Sequence, residues 1–275
     1  MIVAPDASAI RVTKLVKSFG PDRRIADGLD LAVARGEAVS IIGANGAGKS
    51  TLLRLLVGLV PPDDGEVHLL GAPVTRLKGR ALAASRARVG FVFQKHNLVS
   101  RLSALSNVLH GVQARRAGPR TWHQALARRE DREEAMACLD AVGLADLARQ
   151  RVDSLSGGQS QRVAVARMLM QRPELVLADE PDASLDPRAG AEVMGLLARL
   201  SREKGLTLVF VSHHMAHAVA FADRVVGLAG GRVALDERAA TSDPDRLAAF
   251  FDEPPPAPGD AVSASLPLQR IGAAS

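Results

Sequence analysis

The sequence predicts an α/β fold, with a mostly parallel sheet covered by helices and a helical segment inserted between two of its strands. Three observations predict it. A glycine loop, GANGAGKST at residues 43–51, joins an apolar run to a helical pattern. Two later runs, ELVLAD and LTLVFVS, are apolar almost throughout, as in strands buried on both faces, and a helical stretch separates them. Between residue 103 and about residue 147 the pattern is helical, with no strand-like run.

The elements follow in order. AIRVTKLVKSF and LDLAVARGEAVSIIG alternate or run apolar and are rich in Val and Ile, so they read as strands. KSTLLRLLVGL follows the glycine loop with helical spacing, and GEVHLLG and RVGFVFQ read as short strands, the second closed by Gln94. SALSNVLHGV and REDREEAMACLDAVGL are the helices of the insertion. DSLSGGQSQRVAVARMLM opens on Ser-Gly-Gly and continues as a helix. Then come the strand ELVLAD, the helix PRAGAEVMGLLARLSREKG, the strand LTLVFVS and the short helix HMAHAVAFA. RVVGLAGGRV reads as a hairpin turning at Gly230-Gly231. From residue 253 onward, EPPPAPGDAVSASLPLQRIGAAS is rich in Pro, Ala and Ser without a period and is expected to be a disordered tail. No internal repeat is evident.

Composition narrows the function classes. A chain of 275 residues with 47 % hydrophobic content can build one large core, with room for an insertion. Cys138 is the one cysteine, which excludes an internal disulfide and a cysteine metal cluster and suits a reducing compartment. The opening MIVAPDASAI carries an acid and a proline and does not read as a signal peptide. No apolar run reaches the roughly eighteen residues of a membrane span. The net charge of +5 could suit nucleic acid or an anionic surface, but the arginines are interleaved with acids, as in ALARREDREEA, like solvated helix faces. Aromatic content of 3 % without tyrosine argues against a base-stacking platform, so no nucleic-acid partner is expected.

The motifs supply the chemistry. Residues 43–50 match G-x-x-x-x-G-K-[ST] between an apolar strand and a helix, the context a phosphate cradle requires. Gly43, Ala44, Asn45, Gly46, Ala47 and Gly48 offer backbone N–H groups to a phosphate, Lys49 a point charge, Ser50 a hydroxyl for Mg2+, and Thr51 follows at the helix start. ELVLADEP ends in two acids. Asp179 could hold Mg2+ and Glu180 could activate the attacking water, although by itself such a strand end is equally the pattern of two solvated carboxylates. Gln94 could reach Mg2+ or water without adding charge, or simply cap a loop. His213 follows LVFVS at the carboxyl edge of the sheet, where open α/β sheets bind ligands, and could donate to a γ-phosphate. His214 and His217 lack a Glu between them and a third ligand, so a zinc site is rejected and both read as surface or packing residues. The Ser156-Gly157-Gly158 start of the later helix is a second anion-binding terminus, with no anion of its own to hold.

Together these stretches resemble the ATP-binding cassette (ABC) ATPases from about residue 10 to residue 239. They supply the Walker A loop at residues 43–51, the Q-loop at Gln94, the LSGGQ signature at residues 155–159, the Walker B strand ending at Asp179 with Glu180, the D-loop SLD ending at Asp186, and the switch histidine His213. KSFG resembles the family's A-loop, with Phe19 in place of the usual Tyr to stack on adenine. The resemblance implies a P-loop NTPase cassette with a mostly parallel core sheet, an antiparallel β subdomain and an inserted helical subdomain. The parts are expected at residues 10–94 (first part of the core), 95–160 (helical), 161–252 (second part of the core) and 253–275 (tail). It implies ATP and Mg2+ as ligands, with Ser50, Gln94 and Asp179 on the metal. It also implies a head-to-tail dimer with a second copy, in which Ser156, Gly157, Gly158 and Gln159 face the partner's ATP. The insertion, near residues 95–115, would grip a short cytoplasmic helix of integral-membrane permease subunits at the cytoplasmic face of the inner membrane, with a periplasmic binding protein as an indirect partner.

Within that family, FQKHNLVSRLSALSNVLHG, RTWHQAL and EDREEAMACLDAVGLAD are similar to the ATP-binding subunit of phosphonate importers. SHHMAHAV and Ser160 depart from the usual residues there, while His213 keeps the switch position. Three rival readings stand beside a phosphorus-oxyanion importer. They are the same cassette serving polar amino acid import or lipoprotein release, an ABC ATPase of DNA repair or translation, and a non-catalytic nucleotide clamp. The absence of a long coiled-coil insertion or a second cassette opposes the second, and Glu180 with His213 opposes the third.

Overall fold

The computed structural model describes residues 8–20, 23–94, 97–116 and 126–252. The expected tail at 253–275, Lys95, His96 and all of RTWHQAL except Leu126 lie outside them. Two sheets organise the chain. The first is antiparallel and contains β1 (Ser8–Ser18), β2 (Arg24–Ala34), β4 (Asp64–Leu69) and the short β5 (Ala72–Pro73), in the order β2-β1-β4-β5. The second contains β3 (Ala38–Gly43), β6 (Val89–Val92), β7 (Leu175–Asp179), β8 (Thr207–Val211), β9 (Arg224–Ala229) and β10 (Arg232–Arg238), in the order β10-β9-β3-β8-β7-β6. All its neighbours run parallel except β10, which returns antiparallel to β9 through the expected Gly230-Gly231 turn.

The fully apolar runs are explained by burial on both faces of this second sheet. Along β7, Val176 and Ala178 point into one hydrophobic cluster and Leu175 and Leu177 into another. Along β8, Leu208 and Phe210 divide from Val209 and Val211 in the same way. With period-two side chains, a strand covered on both sides has no polar face to show. The first cluster joins the sheet to the helices; the second joins it to the antiparallel sheet and to α1 (Lys49–Leu56), which buries Leu52, Leu53, Leu55 and Leu56.

The inserted segment leaves the sheet after β6 and returns at β7. It contains α3 (Ala104–Leu109), a 3₁₀ turn at His110–Ala114 and α4 (Arg129–Ala141), which pack on α5 (Gly157–Met170). Ser103 caps α3 by accepting from Ser106 N. Asn107, wholly buried, accepts from Val99 N at 2.7 Å and donates to Val99 O at 3.1 Å, which pins the loop ahead of α3 onto that helix. The expected boundary at residue 160 falls inside α5, so one continuous helix belongs to both expected parts. Two further corrections concern detail. The strand before the insertion ends at Val92, so Gln94 lies in the loop beyond it. A helix that the sequence did not announce, α2 (Gly79–Ala87), lies between β5 and β6. Its Arg86 donates to Val57 O at 2.8 Å and Gly58 O at 2.6 Å, satisfying carbonyls left free where α1 ends. After β7 come α6 (Pro187–Glu203) and, beyond β8, α7 (Met215–Phe221); α8 (Pro244–Asp252) closes the described chain.

Candidate nucleotide site

Parallel pairing gathers the motif residues. Val211 of β8 is in register with Ile41 of β3 on one side and with Asp179 of β7 on the other. The three strands therefore end together, at the loop beginning with Gly43, at Asp179-Glu180 and at Ser212-His213. The site lies at the carboxyl edge of the sheet because these strands share one direction.

Asn45, Gly46, Gly48, Lys49, Ser50, Thr51, Glu180 and His213 line one cavity of about 300 Å³. Gly48 precedes α1 with φ 96°, and a Cβ there would sit 2.5 Å from Ile25 Cγ2, so only glycine fits the turn that aims the loop at the cavity. Lys49 is buried, and its ammonium donates to Gly43 O at 2.7 Å and to Ala44 O at 3.1 Å. Burial pulls its pKa below the ordinary lysine value, against the opposing charges of Glu180 and Asp179. Ser50 Oγ donates to Asp179 Oδ1 at 2.7 Å. Burial pushes the Asp179 carboxyl above its ordinary value, although the Ser50 hydroxyl and the Arg54 guanidinium, 4.0 Å away, oppose the shift. A hydroxyl and a carboxylate whose charge is poorly solvated form an all-oxygen donor set suited to a hard divalent cation, which would favour the ionised acid.

Glu180 takes φ 50°, a left-handed conformation that costs a glutamate about 1–3 kcal/mol. Its Oε1 lies 2.6 Å from His213 Nε2. Hydrogen bonding to a carboxylate puts the ring proton on Nε2. The acid and the histidine thus meet at the cavity wall, just beyond the ends of adjacent strands.

Other expected residues stand apart from this cavity. Gln94 is exposed, and its carbonyl oxygen accepts from Ser184 Oγ at 3.4 Å, linking the loop after β6 to the D-loop. Phe19 is 47 % exposed, with the Lys17 ammonium 5.3 Å from its ring centroid. Asp186 caps α6 by accepting from Ala189 N. Ser156 and Gln159 form a capping box at the start of α5: Gln159 N donates to Ser156 Oγ at 3.2 Å and Ser156 N to Gln159 Oε1 at 2.9 Å. That box uses neither of the intervening amides, those of Gly157 and Gly158. Two cations that the motifs did not announce line the cavity, Arg23 and Arg54. Arg54 was legible in principle, since it lies one turn after Ser50 on α1; Arg23, just ahead of β2, lies far from every motif in the sequence.

The ABC transporter family profile matches residues 26–183. The Phosphate-import ATP-binding protein PhnC of Mycolicibacterium smegmatis is 48 % identical over 256 residues, 93 % of this chain and 96 % of that one. The Phosphonates import ATP-binding protein PhnC 2 of Pseudomonas savastanoi pv. phaseolicola is 49 % identical over 236 residues, 83 % of each. Among solved structures, the dimeric post-hydrolysis ATP-binding cassette MJ0796, bound to ADP and Pi, superposes with a TM-score of 0.73 at 33 % identity, covering 84 % of this chain and 98 % of that one.

Proposed function

This chain belongs to the ABC transporter family, and on that premise we propose that it is the ATP-hydrolysing, energy-coupling subunit of an importer for phosphonates or related phosphorus oxyanions. The observation that carries the ATPase half is the convergence of Lys49, Ser50, Glu180 and His213 on one cavity, with Asp179 bonded to Ser50. The substrate half is supported by two relatives whose names specify phosphate and phosphonates, both tetrahedral phosphorus oxyanions.

In this reading the loop from Gly43 to Gly48 wraps the phosphates of ATP with backbone N–H groups. Lys49 exchanges its two carbonyl partners for phosphate oxygens, a stronger partner for an ammonium that is already partly desolvated. Ser50 and Asp179 would hold Mg2+, with Gln94 placed to approach from the loop beyond β6, and the ion would supply charge neutralisation at the phosphates. Glu180 accepts the proton of the attacking water, and His213, which holds the Glu180 carboxylate through Nε2–H, is positioned to reach the terminal phosphate. Phe19 gives adenine a π-face.

The signature residues Ser156, Gly157, Gly158 and Gln159 act on the ATP of a second copy, and Asp186 lies at the same junction. A γ-phosphate shared by two copies couples its loss to reopening. Integral-membrane permease subunits engage the insertion, and a periplasmic binding protein delivers the substrate to them. The chain works as a peripheral protein at the cytoplasmic face of the membrane; no helix among its described residues is long and apolar enough to cross one.

The test is ATPase activity of the chain reconstituted with its permease and binding protein. Phosphate or an alkylphosphonate is expected to stimulate hydrolysis, and polar amino acids are not. Stimulation by an amino acid alone would transfer the assignment to a different importer class.

A further inference from the structure

His213 is not the only histidine that reaches from the β8–α7 segment to the loop after β7. Four residues on, His217 Nδ1 lies 2.6 Å from Asp182 Oδ2. The two pairs, His213–Glu180 and His217–Asp182, tie the same two segments together at neighbouring points. They differ in exposure. The His213 side chain is 36 % exposed, whereas the Asp182 side chain is 2 % exposed and His217 17 %.

The inner pair is enclosed on several sides. A Cβ on Gly190 of α6 would sit 3.2 Å from Asp182 Cβ and 3.9 Å from His217 Cε1, so the helix approaches closely because it carries no side chain there. The ring of His217 is flanked by His214, centroids 5.1 Å apart, and by Phe221, 5.6 Å apart. The Asp182 carbonyl accepts from Leu185 N at 3.1 Å, so the residue also shapes the turn leading to Ser184 and Asp186. A carboxylate this deeply buried needs its partner, and the hydrogen bond to Asp182 fixes the His217 ring in one orientation.

We propose that the His217–Asp182 pair is a positioning element for hydrolysis. It locks α7 to the loop after β7, and so holds His213 in contact with Glu180 and sets the turn into the D-loop. Neither residue touches the nucleotide cavity, so the pair acts through its neighbours. The inference rests on the reading of Glu180 and His213 as the groups that work on ATP.

The test compares steady-state ATPase kinetics of the full chain carrying His217→Leu, His217→Asn, Asp182→Asn, or His217→Leu with Asp182→Asn. Leu fills similar space without a donor, and Asn keeps an N–H near the position of Nδ1. His217→Leu is expected to lower kcat roughly tenfold with the KM for ATP changed less than about twofold, because the Lys49 loop is untouched. His217→Asn is expected to recover most of that loss. The double variant is expected to be no slower than the slower single one, as for residues acting as a unit. A thermal unfolding transition and ATP binding equal to wild type verify that each variant is folded; a variant that fails this is replaced by the other member of the pair. Wild-type kcat in His217→Leu overturns the proposal, as does a loss that His217→Asn does not repair. His213→Ala run alongside separates the two ideas. If it keeps wild-type turnover, the catalytic reading itself fails; if it stops turnover while His217→Leu does not, only the positioning inference fails.

Discussion

Glu180 combines a left-handed backbone, a hydrogen bond to His213 and a position on the nucleotide cavity, and the chemistry assigned to it is directly testable. Glu180→Gln keeps an acceptor for His213 but cannot take a proton at neutral pH. Hydrolysis is expected to fall by at least about a hundredfold while ATP binding persists, as read by phosphate release and nucleotide titration. Gly48→Ala is expected to cost about 1–3 kcal/mol in unfolding free energy and to lose ATP binding, since its Cβ meets Ile25 at 2.5 Å on a backbone at φ 96°. Cys138 provides a control away from the site. Burial, with the nearby Glu134 charge second, raises its thiol pKa to about 11. At pH 8 the thiolate is about one part in a thousand, so iodoacetamide should label it far more slowly than a free thiol and faster as pH rises. The raised pKa favours the folded state below the ordinary thiol pKa, and that contribution disappears as pH climbs toward 11. The glycine loop was legible from its G-x-x-x-x-G-K-[ST] spacing between a strand and a helix, and Asp179, Glu180 and His213 from their places just at or beyond the ends of the apolar strands LVLAD and TLVFV. Arg23 and the Asp182–His217 contact were not, because they depend on which distant segments meet.

At the scale of elements, the strands were legible for the same reason: runs such as LVLAD and TLVFV admit no other burial. Helix α2 was hidden because GRALAASRA has a weak apolar stripe, buries only Ser85, and is held instead by Arg86 on the carbonyls after α1. The joint between the two sheets also rests on polar contacts. Arg224 on β9 donates to Glu37 Oε1 at 2.6 Å and to Asp236 at 2.9 Å, and it also reaches the carbonyl of Ala32 on β2. The hairpin adds a backbone bond from Asp27 N to Gly231 O at 2.9 Å. Removing the guanidinium leaves two carboxylates without their counter-charge. Arg224→Ala is therefore expected to destabilise the fold by about 2 kcal/mol, seen as a lower denaturant midpoint with the slope unchanged.

At the scale of the whole molecule, the remaining question is what completes the site. The cavity of one chain is lined by residues of the glycine loop with Glu180 and His213, while the start of α5 offers Ser156 and two glycine amides that its own capping box does not use. In LSGGQ this division of parts could be read only as an anion site lacking an anion; the dimer proposed above gives it the phosphate of a second copy. Ser156→Arg should therefore bind ATP as one chain and yet fail to turn it over. The most direct measurement is sedimentation of the Glu180→Gln chain with Mg-ATP, with Mg-ADP, and with Mg-ATP after Ser156→Arg is added. Twice the mass of one chain is expected in the first condition alone. A single-chain mass with ATP demonstrably bound, or doubling that survives Ser156→Arg, would contradict it.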